Sequence, residues 1–208
     1  MDKKVLKQMY ADIVSREPIR PVILGIHFEE DACVATDTHV LVVYKQGSKN
    51  LAGRTINSEG EDCKGTYPNW QRVIPAEMPG EPLPINLTQL YKALKWHRQQ
   101  PDSHRGDMIA FDDCVMSVDY LYRVLNVYMV AGELPLCKFY LNEVTRPAKL
   151  ESPNLTAIVM PVSGGNYEID GERENEGIAI LSYETIINNY AFNSWKKTEK
   201  PMELAWIS

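Results

Sequence analysis

No apolar run in the 208 residues approaches the roughly 18 needed to cross a bilayer. The opening stretch, residues 1–16, mixes lysines among its apolar residues, where a secretory leader would place an unbroken apolar core. A cytoplasmic protein with no membrane partner is the expectation. Cysteine is scarce: Cys33, Cys63, Cys114 and Cys137 lie far apart without a CxxC pair, so neither a zinc knuckle nor a redox motif can be read from them, and reduced thiols follow. Positive charge is in deficit, with 22 Lys and Arg against 28 Asp and Glu for a net −6, which argues against coating by nucleic acid through bulk charge. Catalytic signatures are missing too. There is no GxSxG elbow, no P-loop and no HExxH, and the SGG at 163–165 lacks a following lysine. The alternating acids Glu168, Asp170, Glu172, Glu174 and Glu176 lack an EF-hand glycine in register and read as a solvated loop. Asp37 and His39, on one face of a D-x-H segment, have no evident third ligand, and Asp37 is expected to bond within the turn before its strand. These absences lead to an expectation of a non-enzymatic protein with no cofactor and no metal.

What is present is an ordinary globular composition, 44% hydrophobic and 24% charged, enough for one large domain or two small ones. Residues 3–16 place Val5, Leu6, Met9, Ile13 and Val14 on one helical face and Lys3, Lys4, Lys7 and Arg16 on the rest, up to the stop at Glu17-Pro18. Three β-rich runs follow: RPVILGIHF, ACVATD and HVLVVYK. Residues 46–66 are polar and Gly-rich, predicting an exposed connection with little core. Asn86 with Gln89 three positions on forms a capping-box pattern, opening a helix with Leu87, Leu90, Tyr91 and Leu94 on its apolar stripe. Its other side carries Lys92, Lys95, His97 and Arg98, and no acid occurs between Asn86 and Gln100. MIAFDD and CVMSV read as strands, and a helix from Tyr120 is expected to end at Gly132. Then come CKFYLNE, PAKLE and LTAIVMPV as strands, and IAILSYETIINNYAFNSW as a strand and a helix. The order strand, helix, strand, strand, strand in 114–162 recurs without its leading strand in the first 45 residues, and 83–112 forms a shortened copy. The fold class expected is α+β, with repeats of one helix packed on antiparallel strands.

Three separated stretches, CVATDTHVLVVY at 33–44, YPNWQRVIP at 67–75 and KFYLNEVTRPAKLESPNLTAIVMPV at 138–162, together resemble the bacterial DNA polymerase III β sliding clamp. In that family the corresponding patterns run approximately ATDGHRLA, FPDYRRVIP and a closing VMPM, in the same order. The usual arginine of the first motif is Val40 here, and the chain continues 46 residues past Val162. The resemblance implies a shortened clamp-like relative: a partial clamp-like domain at 1–66, a compact one at 67–162 and a C-terminal extension at 163–208. A family subunit carries three such domains.

By the same resemblance, the three motifs meet in a groove that receives linear peptides of replication or repair partners, such as DNA polymerases. Its residues would be Thr36, Thr38, His39 and Leu41, then Pro68 and Val73, then Ile158, Met160, Pro161 and Val162. A bland reading of Val73, Ile158 and Val162 as strand core stands beside it. The resemblance also implies contact with the backbone of double-stranded DNA, without sequence preference, through Lys3, Lys4, Lys7, Lys92, Lys95 and Arg98. A solvated helix face is the alternative for the first three, because Asp2, Asp12 and Glu17 dilute their charge. The helix from Tyr120 offers only Arg123 and is expected to pack more than it binds. Encirclement would need a homo-oligomer to supply missing domains. The competing functions are a clamp-fold adaptor or decoy that binds partner peptides without encircling DNA, and an unrelated α+β enzyme.

Overall fold

The computed structural model describes residues 1–142, 146–162, 168–171 and 178–198, with side chains described up to Ser194. The acids at 172, 174 and 176 and the SGG at 163–165 lie outside the described residues. In chain order the elements are α1 (Lys3–Asp12), β1 (Ile26–Phe28), β2 (Cys33–Thr36), β3 (Val40–Tyr44), β4 (Thr55–Ile56) and α2 (Leu87–His97). They continue with β5 (Met108–Phe111), β6 (Cys114–Ser117), α3 (Val118–Ala131), β7 (Lys138–Tyr140), β8 (Ala148–Glu151), β9 (Leu155–Val159), β10 (Ile180–Ser182) and α4 (Tyr183–Thr198). Short 3-10 turns occupy Pro21–Ile23, Trp70–Val73 and Leu134–Leu136. The fold is α+β, and the two expected helix-plus-three-strand units appear as α1-β1-β2-β3 and α3-β7-β8-β9.

Those units join along one line. The larger sheet runs β4-β1-β2-β3-β9-β8-β7, so two antiparallel meanders meet where β3 pairs with β9, from Val40 opposite Val159 to Tyr44 opposite Leu155. One face of this sheet contributes Cys33, Ala35, Val40, Val42, Tyr44, Leu155, Ala157 and Val159 to the main core, which the helices share. The other face buries Val34, Leu41, Val43 and Ile158 against Tyr67, Trp70 and Ile74. A strand covered on both sides reads as a continuous apolar run, which is why VLVVY lacks the alternation of a half-exposed strand. A second sheet, β10-β5-β6, pairs β10 with β5 in parallel.

Capping residues set the helix limits. Asn86 Oδ1 accepts the N–H of Gln89, and Ser117 starts α3 by accepting from Tyr120 N. Gly132 ends α3 in the left-handed region at φ 73. The first helix is shorter than its periodicity predicts: Ser15 N–H donates to the Ile23 carbonyl, turning the chain before Arg16 can extend the helix. A polar chain laces the three helices, with Tyr91 donating to Asn126, and Asn126 and Gln8 both donating to Asp12. The 46–66 connection departs from expectation. Thr55–Ile56 pairs with β1 at the sheet edge, Thr55 is buried, and Leu51 and Ile56 pack on the core. Two residues of pairing are too short to carry a period, so composition alone pointed to a loop.

A buried carboxylate fixes the β8–β9 turn. Glu133 accepts from the Ser152 hydroxyl, from the Asn154 side chain, and from Asn154 N–H at 3.0 Å. Burial pushes its carboxyl up, but these hydrogen bonds outweigh burial and leave it below the usual carboxylate range. The stabilisation is therefore present above the unfolded-state pKa and is lost as pH falls through the lower folded-state value. Glu133→Gln is expected to lose about 1–3 kcal/mol near pH 7. In urea titrations the gap to the parent should close below about pH 4, and a gap that widens there would refute the assignment.

Candidate functional site

Strand register puts Thr36, Leu41 and Ile158 abreast on β2, β3 and β9, on the sheet face turned away from the helices. The segment 64–73 crosses that face as a strap. Between strap and sheet lies a groove of about 470 Å³, lined by Thr36, Thr38, His39, Leu41, Pro68, Val73, Ile158 and Met160 among others. Eight of the ten groove residues expected from sequence thus share one concavity. Pro161 and Val162 do not line it; Val162 N–H instead donates to the Val115 carbonyl at the edge of β6.

Several groove residues were not among those expected. Arg20, Val22, Ile23 and Lys64 also line the groove. Tyr67 and Trp70 sit inside the YPNWQRVIP stretch and were legible only as part of that match. The strap is anchored by polar bonds. The Tyr67 hydroxyl donates to the Val34 carbonyl, its ring stacks on His27 at 4.6 Å, and Trp70 Nε1–H donates to Glu29. Burial, with the charge of nearby Cys63 added, pushes the Tyr67 hydroxyl well above its ordinary range, so it stays a donor. Burial pulls His27 down, against the opposing charge of Glu29.

The turn from β2 to β3 is built to present Thr38 and His39. Asp37 Oδ1 accepts the N–H groups of His39 and Val40, and Thr36 Oγ1 accepts from Thr38 N while donating to the Val40 carbonyl. Thr38 sits at φ 83, a left-handed conformation costly for a β-branched residue. Asp37 Oδ2 accepts from Arg123 at 2.6 Å, and the His39 ring stacks on Tyr120 at 5.0 Å. Asp37 Oδ1 thus bonds within the turn, as expected, while Oδ2 is taken by Arg123 of α3, and no set of three or more potential metal ligands occurs among the described residues.

The basic residues divide into two classes. Lys3, Lys4 and Lys7 on α1, and Lys92 and Lys95 on α2, are exposed. Arg98 is engaged: it pairs with Asp119 at 2.7 Å and lies over the Tyr122 ring at 4.1 Å. Arg123 packs rather than projects, as expected, with its guanidinium shared among Asp37, Asp119 and the Asp12 carbonyl. No described helix is long and apolar enough to cross a membrane.

No protein-family model and no curated protein sequence matches the chain. Solved structures do. The DnaN sliding clamp of Bartonella birtlesii, bound to griselimycin, aligns over 77% of this chain and 64% of its own, with a TM-score of 0.59 at 17% identity. The DNA polymerase III beta chain of Streptococcus pneumoniae covers 79% and 64%, again at 0.59, with 15% identity. The fold is that of a bacterial sliding clamp. The sliding clamp of Bacillus subtilis aligns over 77% of this chain and 63% of its own, with a TM-score of 0.53 at 15% identity. The chain therefore spans somewhat less than two thirds of the clamp chains it matches.

Proposed function

We propose that this clamp-fold chain is a non-enzymatic, DNA-associated protein whose groove receives linear peptides of replication or repair partners. The observation that carries the reading is the convergence of three stretches, each weak alone, on one apolar slot of a clamp fold. Residues 1–66 and 67–162 then act as two clamp-like units meeting along β3–β9, with the slot at their seam and 163–208 as an extension. Burying one leucine or phenylalanine anchor contributes about 1.5–3 kcal/mol, so two or three anchors together supply at most about 9 kcal/mol before ordering costs, the scale of a micromolar or weaker, exchangeable contact. Met160 suits such a slot because its unbranched chain adapts to different anchors. Encircling DNA requires further copies, so a homo-oligomer belongs to this reading.

The test pairs a fluorescent peptide carrying leucine and phenylalanine anchors with the parent and with Met160→Ala/Val73→Ser. Anisotropy should give micromolar affinity for the parent and at least a tenfold loss for the variant, with unchanged circular dichroism. No binding at saturating protein would reject the groove. For DNA, log affinity for a duplex should fall with log salt, and neutralising Lys92 and Lys95 should reduce that slope by about 2. Indifference to both would remove the DNA contact. One observation favours the adaptor reading as runner-up. Arg98 is already engaged within the chain, which thins the basic face of α2. A strictly monomeric mass with intact peptide binding would select it.

A further inference from the structure

The groove is lined by charge of one sign. Among the described residues, Arg20 and Lys64 are the charged residues that line it, beside His39, and no Asp or Glu does, although acids outnumber bases 28 to 22 in the chain. Two acids on neighbouring segments are already committed. Asp62 is bound in a two-pronged pair to Arg54 at 2.8 and 2.7 Å, and Glu29 accepts from Trp70 and Gln71. Neither Arg20 nor Lys64 is held in an ion pair among the described residues. The two cations also stand on segments that touch. Gly65 passes so close to Val22 that a Cβ on it would meet the Val22 Cβ at 3.4 Å, which brings the segments bearing Arg20 and Lys64 into contact. An apolar slot whose lining carries two cations and no acid is complementary to an apolar segment that carries negative charge.

We propose that the segment docking here carries an Asp or Glu side chain beside its apolar anchors, held between Arg20 and Lys64. This rests on the docking reading above and adds the charge of the partner. The fixed backbone supports it: Pro21 follows Arg20 directly, and the Ile23 N–H donates to the Arg20 carbonyl, so the guanidinium springs from an ordered turn.

The experiment uses three labelled peptides with identical leucine and phenylalanine anchors and Glu, Gln or Lys at the flanking position. Each is titrated by anisotropy against the full chain and Arg20→Gln/Lys64→Gln, at 50 and 300 mM salt. Exposed ion pairs contribute up to about fivefold each, so the Glu peptide should bind about tenfold tighter than the Gln peptide at low salt and the Lys peptide weakest. The advantage should shrink at high salt and vanish in the double variant, where the Glu and Gln peptides should bind alike. Equal affinity of Glu and Gln peptides for the parent overturns this inference and leaves docking standing. Failure of all three to bind overturns the docking reading itself. Should the double variant lose duplex DNA affinity while peptide discrimination persists, the cations serve a nucleic-acid contact and the proposal falls.

Discussion

Replacing Asp107 by alanine is expected to cost about 3–5 kcal/mol, because the carboxylate is fully buried and three N–H groups point at it. Oδ2 accepts from His97 Nε2 at 2.9 Å and from His104 N at 2.9 Å, and Oδ1 accepts from Ala179 N at 3.1 Å. A carboxylate only accepts, so the His97 proton must reside on Nε2. The backbone of Asp107 adds to the knot, since Val118 N–H, at the start of α3, donates to its carbonyl. Alanine leaves all three of these N–H groups without their acceptor in a buried site. Asparagine restores one acceptor oxygen and turns an NH₂ toward donors, so Asp107→Asn should lose about half as much. Urea unfolding checks the order: parent, then the asparagine variant, then the alanine variant. A second readout tests the connection to β10. Ala179 precedes that strand, which pairs with β5 alone. Amides of Ile180–Ser182 should exchange much faster in Asp107→Ala than those of β9 at the seam. A loss below about 1 kcal/mol with unchanged exchange would show that Asp107 does not hold this end of the fold.

The sequence was informative where structure is local and silent where it is long-range. Asn86 with Gln89, and Gly132 after an apolar helical period, marked helix ends because capping involves residues within a turn of each other. The two helix-plus-three-strand units were legible for the same reason. Their joining through β3 and β9 was not, since Leu41 and Ile158 are neighbours only in space. The groove was half legible: family-like stretches supplied Thr36, Pro68 and Met160, while Arg20 and Ile23 lie in a run legible only as β-rich and Lys64 in one legible only as an exposed connection. The family resemblance carried Pro161 and Val162 into the groove together with Met160, yet Val162 turns away to pair with Val115. The parallel pairing of β10 with β5 was hidden because a three-residue strand brought in from a distant part of the chain leaves no periodic trace.

Arg123→Ala is expected to damage stability and the groove together. Nη1 donates to the Asp12 carbonyl at 2.9 Å and Nη2 to Asp37 Oδ2 at 2.6 Å. Nε lies 3.2 Å from Asp119 Oδ2, near enough to attract but without a hydrogen bond. The guanidinium also lies 5.0 Å from the centre of the Tyr120 ring. One side chain thus ties the end of α1 and the β2–β3 turn to α3. That turn holds Thr38 in a left-handed conformation, a strain of about 1–2 kcal/mol that persists only while its surroundings enforce it. Without Arg123, Asp37 keeps its bonds to His39 and Val40 but loses its anchor to the helix layer. Loss of a charged hydrogen bond from a mostly buried pair should cost about 2–3 kcal/mol. Release of the turn should let Thr38 and His39 leave the groove wall, weakening an anchored peptide by about tenfold even where the variant remains folded. Arg123→Lys separates the two effects. Lysine restores a charge for Asp37 but cannot span Asp12, Asp37 and Asp119 with a rigid fork, so it should recover part of the peptide affinity and little of the stability. If Arg123→Ala lowers stability while binding stays at the parental level, the turn holds its shape without α3, and the groove is fixed by the β2–β3 ladder alone.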